Sequence, residues 1–357
     1  MQARRVRHGL TMKQRTGMKR VDLVVGSVLV IGTAGAVVGF LMYDAAGRRG
    51  SGLSSDFAYD VEKLAKIDPA MILYEETGAA IETGLQATRA IAIDGRDNVY
   101  VAGDKVVKVF DTAGAVQRTV ELPGEAECVA VAEDGTLYAG IGDHVEVYDA
   151  DGKLAAIWPR PGAGTVITSI AVSRGRDVFV ADAGNRIVIR YDAAGQEINR
   201  IGAKDPEANV PGFVVPSPHF DVVVPRDGMP RVVNPGRLRI EAYTADGDFE
   251  FSWGGPSMDV EGFCGCCNPV NIALLPNDDV ITCEKGLNRI KVYSHTGAFK
   301  CVVAGPEQLR PGEAVKICVL PEQCQTAGLD AAADSTGRIY VLDAAANVIR
   351  SFVLKGN

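Results

Sequence analysis

The sequence predicts an all-β protein, a six-bladed β-propeller, preceded by one N-terminal transmembrane helix. Three observations carry this. An aromatic residue is followed four positions later by glycine at regular intervals along the chain. Most such pairs follow a β-branched run. A 21-residue stretch without a charge, Leu23 to Tyr43, sits behind a basic tail. The 357 residues are 47% hydrophobic and 23% charged, enough chain for a large core.

The N-terminal elements come first in the chain. Residues 1–20 hold Arg4, Arg5, Arg7, Lys13, Arg15, Lys19 and Arg20 and no acid. At about 1.5 Å per residue, Leu23 to Tyr43 reaches about the ~30 Å thickness of a bilayer core. Basic residues ahead of it place the tail in the cytoplasm and everything after Tyr43 outside. The predicted organisation is a basic cytoplasmic tail (1–20), a transmembrane helix (21–43) in contact with the lipid bilayer, a Gly/Ser-rich linker (44–70) and a propeller (71–357). In a bacterium the propeller would stand in the periplasm on the inner membrane. A cleaved signal peptide is the competing reading, but its apolar core is usually only about 7–15 residues. Gly35 and Gly39 form a G-x-x-x-G pair, which also fits ordinary small-residue content of a membrane helix. Net charge is −8, and past residue 20 the chain carries 30 basic and 45 acidic side chains. An acidic body argues against nucleic acid as a partner, because that binding runs on phosphate neutralisation.

The repeats come next. The aromatic–glycine pairs are Phe110/Gly114, Tyr148/Gly152, Tyr191/Gly195, Tyr243/Gly247, Tyr293/Gly297 and Phe352/Gly356. Each reads as a strand ending in an aromatic, a tight glycine turn and a return strand. A second hairpin precedes each, as in residues 91–102, 129–140, 170–181, 272–283 and 331–342. Four strands, A to D, in each fixed-phase unit are the pattern of a propeller blade. Units begin near residues 88, 126, 167, 219, 269 and 328. The last lacks a D strand, and residues 71–84 are expected to supply it and close the ring. Tyr74/Gly78 also fits the repeat and leaves a partial seventh unit as the other count. Val61 to Met71 suits one short helical turn.

Asp182-Ala-Gly-Asn185-Arg186-Ile187-Val188 followed by Tyr191, Leu287-Asn288-Arg289-Ile290-Lys291-Val292-Tyr293 and Asp343…Asn347-Val348-Ile349 resemble the NHL repeat. The resemblance implies a six-bladed propeller, here carried behind the N-terminal membrane segment. It says little about activity, since NHL relatives include binding scaffolds, lyases and hydrolase-like proteins.

Antiparallel A-B-C-D blades put the B–C loops and the D–A crossings on one face. The long crossings are 203–218, 255–268 and 306–327, so that face is the expected binding face. Cys264, Cys266, Cys267, Cys283, Cys318 and Cys324 are expected there; Cys301 lies deeper and Cys128 in the core. Three chemistries fit the cluster. Disulfides suit an oxidising compartment. A thiolate metal or iron–sulfur site needs about four convergent sulfurs. A redox dithiol would use Cys264 and Cys267. Glu284, Lys285 and Arg289 form either a polar clasp for a partner or a surface ion pair worth about 0–1 kcal/mol.

Lyases among NHL relatives gather several histidines round a channel metal. Here His295 falls on the opposite face from His144 and His219, so three cannot converge, which leaves His219 as the single catalytic candidate beside a structural reading. Asp221, Asn271 and Asp330, near the starts of A strands, are candidates for a channel ion or for loop caps. The chain has no P-loop, nucleophile elbow, complete G-x-G-x-x-G or C-x-x-C-H. The expected function is a binding or scaffold subunit, with a protein partner in a membrane complex, a redox complex being one such context, docked on the cysteine-rich face. The alternatives are an exported metal-dependent hydrolase or lyase, and a cysteine-ligated metal or iron–sulfur protein.

Overall fold

The computed structural model describes residues 61–205, 207, 212–312 and 328–356. The expected tail, membrane helix and most of the linker, and Cys318 and Cys324, lie outside these. Among the described residues no helix is long and apolar enough to cross a membrane.

Six antiparallel sheets form the propeller, one per blade. Blade 1 runs Thr88–Ile93, Val99–Gly103, Val106–Phe110 and Val116–Glu121. Blade 2 is Cys128–Val131, Leu137–Ile141, His144–Tyr148 and Leu154–Ile157. Blade 3 is Ile167–Val172, Val178–Asp182, Ile187–Tyr191 and Glu197–Ile201. Blade 4 is Val222–Val223, Arg231–Asn234, Arg239–Tyr243 and Phe249–Gly254. Blade 5 is Asn271–Leu274, Val280–Glu284, Arg289–Tyr293 and Phe299–Ala304. Blade 6 takes Leu329–Ala333, Ile339–Asp343 and Val348–Leu354, and borrows Tyr74–Glu76 as its outer strand.

The borrowed strand pairs Tyr74 with Leu354 and Glu76 with Phe352, and Ile81–Glu82 pairs further along the same strand. This closes the ring as the repeat phase predicts and makes six the blade count. The Arg350 guanidinium grips both oxygens of Glu76 at 2.8 and 2.6 Å, a bidentate pair across the closure. A short helix, Val61–Ala65, and a 3-10 turn, Pro69–Met71, precede it.

Burial explains the strand compositions. B strands are packed on both faces by neighbouring blades, so Val99–Gly103, Leu137–Ile141 and Val178–Asp182 are buried throughout. D strands form the rim and leave Val116, Leu154, Ile198 and Phe249 exposed. The repeat glycines end the C strands in left-handed conformation, as at Gly195 (φ +80°) and Gly297 (φ +95°). A Cβ on Gly297 would overlap the Trp253 ring of blade 4, so this turn also needs glycine for close approach.

The incoming crossings follow a shared rule. A polar side chain at the end of a B strand receives the crossing's backbone. Asp182 accepts from Val166 N at 3.0 Å, and Asn234 from Val214 N at 3.0 Å. Glu284 accepts from Cys264 N at 3.4 Å. The crossings and B–C turns therefore share one face, the loop face.

Candidate functional site

Blade 5 holds the crossing 255–268 rigidly. Phe263 is fully buried against Trp253 and Tyr293, with ring centroids 6.3 and 5.8 Å away. The Tyr293 hydroxyl donates to Glu261 O at 2.9 Å. Lys291 Nζ donates to Val260 O at 2.9 Å and Gly262 O at 2.6 Å, and lies 4.6 Å from the Phe263 ring centroid. It also meets Glu284 Oε1 at 2.7 Å, while Arg289 meets Glu284 Oε2 at 2.7 Å. Burial pulls the Lys291 ammonium down to about 8, against the opposing pull of Glu284. The Asn268 amide finishes the anchorage. It donates to Cys264 O at 2.7 Å and Lys285 O at 3.0 Å, and accepts from Lys285 N at 3.0 Å.

This corrects the expectation for the polar clasp. Glu284, Arg289 and Lys291 are 0, 1 and 0% exposed, so Glu284 and Arg289 are internal girders with no surface to offer a partner. Removing one member would strand a buried charge, which is costly. The sequence reading missed Lys291 and Asn268. Arg289, Lys291 and Tyr293 alternate on one side of a buried strand, and two cations there require an internal acid.

The cysteines divide by environment. Cys266 is exposed, Cys264 half-buried, and Cys128, Cys267, Cys283 and Cys301 buried. All six are free, so no disulfide joins any pair among the described residues. Cys283 lies inside its strand, opposite Asn271 and Ile290, and burial pushes its thiol well up. Burial also raises Cys267, and raises Cys301 to about 11. Among the described residues no group of three or more His, Cys, Asp or Glu is disposed to hold a metal ion.

The polar residues of the channel stitch blades together. Six A strands line a central cavity of about 270 Å³ that includes Asp221, Asn271 and Asp330. Asp221 of the crossing into blade 4 accepts from Ile272 N of blade 5 at 2.6 Å, from Val222 N at 2.8 Å and from the Ser169 hydroxyl of blade 3. Asn271 donates to Leu329 O of blade 6 at 2.9 Å. Asp330 accepts from Ile91 N of blade 1 at 3.0 Å and Ala331 N at 2.8 Å. Burial raises Asp221 to about 6 and, helped by the Asp221 charge, Asp330 to about 7. Four of the six seams are thus tied by the residues expected at a channel ion.

His219 stands elsewhere, in the crossing into blade 4 on the loop face, close to Gly328 and the Asn271 amide. Burial first, then the Lys285 charge, lowers its imidazole to about 4. Ser217, two residues earlier, lies against the Cys267 thiol. Lys285 is 7% exposed. Lys285 Nζ, His219 Nε2 and Ser217 Oγ are buried atoms without a hydrogen-bond partner among the described residues. Each normally finds one. The Lys285 charge acts on both His219 and Cys267, which links the three groups to the crossing 255–268, and the sequence reading missed Ser217 altogether.

No protein-family model matches the chain, and no curated protein matches it in sequence. Solved structures do match. A streptogramin B lyase superposes with a TM-score of 0.54 at 12% identity, over 79% of this chain and 98% of that one. The WD40 β-propeller domain of Doa1 gives 0.52 at 16% identity, over 77% and 82%. The chain is a six-bladed β-propeller. At such identities the likeness is one of fold, shared here by a lyase and a WD40 domain.

Proposed function

We propose that this chain is a membrane-anchored, extracytoplasmic propeller of NHL type that binds a protein partner through its loop face, around the crossings into blades 4 and 5. The observation that carries the reading is the group of buried polar atoms, Lys285 Nζ, His219 Nε2 and Ser217 Oγ, unpartnered among the described residues, on the loop face with the exposed Cys266. Buried polar atoms ordinarily find a partner, and a bound group on the loop face would supply one. The rigid hold of Lys291, Glu284 and Asn268 on crossing 255–268 supports this, because a pre-organised surface binds at lower entropic cost. Engagement of Asp221, Asn271 and Asp330 in blade seams favours binding over channel catalysis. The charge-free run from Leu23 to Tyr43 behind a basic tail supports an anchor in the cytoplasmic membrane with residues 71–357 outside.

The test is cross-linking in the native membrane. A thiol-directed bifunctional reagent on Cys266, in a Cys264→Ser background, should give one discrete adduct with a second protein. A cysteine placed on the opposite turn face, Asp151→Cys in a Cys266→Ser background, should not. Equal adducts from both faces, or none from Cys266, would remove the docking assignment.

A further inference from the structure

At blade 5 the loop face buries more positive than negative charge. Blade 5 brings Lys285, Arg289 and Lys291 together with one carboxylate, Glu284. Arg289 and Lys291 share that carboxylate at 2.7 Å each, and Lys291 also spends donors on Val260 O and Gly262 O. Lys285 receives nothing. Its backbone is fixed at both N–H and C=O by Asn268, so the side chain leaves from a rigid point. Among the described residues its ammonium is buried without an acid or a carbonyl. An isolated buried charge is among the costliest features a fold can carry.

We infer that the loop face holds a carboxylate-binding site in which Lys285 Nζ is the charged donor and His219 Nε2 and Ser217 Oγ are the neutral hydrogen-bonding groups. This rests on the docking reading of the same face and names the chemistry it recognises. Charge decides the ligand class. His219 is uncharged near neutrality, so the site offers one uncompensated positive charge, which a single carboxylate balances and a dianionic phosphate over-fills. Entry is from the loop face, where Ser217 and His219 keep partial exposure and Cys266 is exposed. The carboxylate comes either from an acidic side chain of the partner or from a small free acid.

The experiment is a thermal-denaturation titration of the full chain in detergent at constant ionic strength. The probes are acetate, N-acetyl-glutamic acid amide, phosphate and chloride. A saturable rise in midpoint of about 2 °C or more is expected with a carboxylate and not with chloride. It should vanish in Lys285→Met, survive in part in Lys285→Arg and weaken in Ser217→Ala. Without ligand, Lys285→Met should melt at or above the wild-type midpoint, since it removes an unpaired charge. An equal response to acetate and the glutamyl probe assigns a small acid; a response to the glutamyl probe alone assigns a partner side chain. Stabilisation by phosphate alone, by no probe, or equally in wild type and Lys285→Met overturns the inference. Cys266 cross-linking that persists in Lys285→Met while carboxylates have no effect would keep the docking face and discard the carboxylate.

Discussion

Single side chains show most clearly where this fold spends polar groups. Glu284 joins two cations at the centre of blade 5. Glu284→Ala should destabilise the protein by about 3–5 kcal/mol in chemical denaturation, because it strands Arg289 and Lys291. Asp330 gives a pH signature. Its carboxyl is held at about 7 in the folded chain against an ordinary 3.8. A folded-state pKa raised in this way contributes stability that is complete below about pH 4 and is lost as pH rises toward 7. The wild-type melting point should therefore fall across that window, by up to about 1.4 kcal/mol of stability for each pH unit. Asp330→Asn imitates the protonated group and should flatten the curve; an unchanged slope in that variant would dismiss Asp330 as its source. Thiol reactivity should follow environment, with Cys266 labelled first and Cys128 and Cys283 only on unfolding, as peptide mass mapping would show.

At the scale of strands and turns, the aromatic–glycine turns test how blades meet. Gly297→Ala adds a Cβ in left-handed backbone and drives it into Trp253, so a loss of about 1–3 kcal/mol and a change in tryptophan fluorescence are expected. These turns were legible in the sequence because the glycine requirement is local and repeats with fixed phase. So was the closing strand, whose absence from the last unit matched a surplus ahead of the first. The site was legible only in part. Spacing placed Cys264–Cys267 and His219 on the loop face, yet read Glu284 and Arg289 as surface groups. Burial of a B–C turn depends on what the neighbouring crossing lays over it, and that contact joins residues 20 apart in one pair and 31 in another. The same non-locality hid Ser217, whose meaning comes from Cys267 and Lys285 across the gap. Likewise Asp221, Asn271 and Asp330 sat at the expected strand starts, but their partners belong to adjacent blades.

For the whole molecule, the ring depends on few ties between like units. Polar stitches run from blade 3 through blade 4, blade 5 and blade 6 back to blade 1, through Ser169, Asp221, Asn271 and Asp330. A chain lacking residues before Thr83 would lose the outer strand of blade 6 and bare the edge Val348–Leu354. Such an edge invites pairing with another chain, so this variant should melt earlier and elute as oligomers in size-exclusion chromatography.

The pairing of Glu76 with Arg350 spans 274 residues. A ribosome therefore releases the first half of the clasp long before its counterpart exists. Until residues 348–354 emerge, the blade that seals the circle cannot assemble, and every earlier blade waits in an open arc with an unpaired seam. The geometry that makes the finished ring tight also makes the nascent chain a long-lived client for whatever shields exposed strands during synthesis.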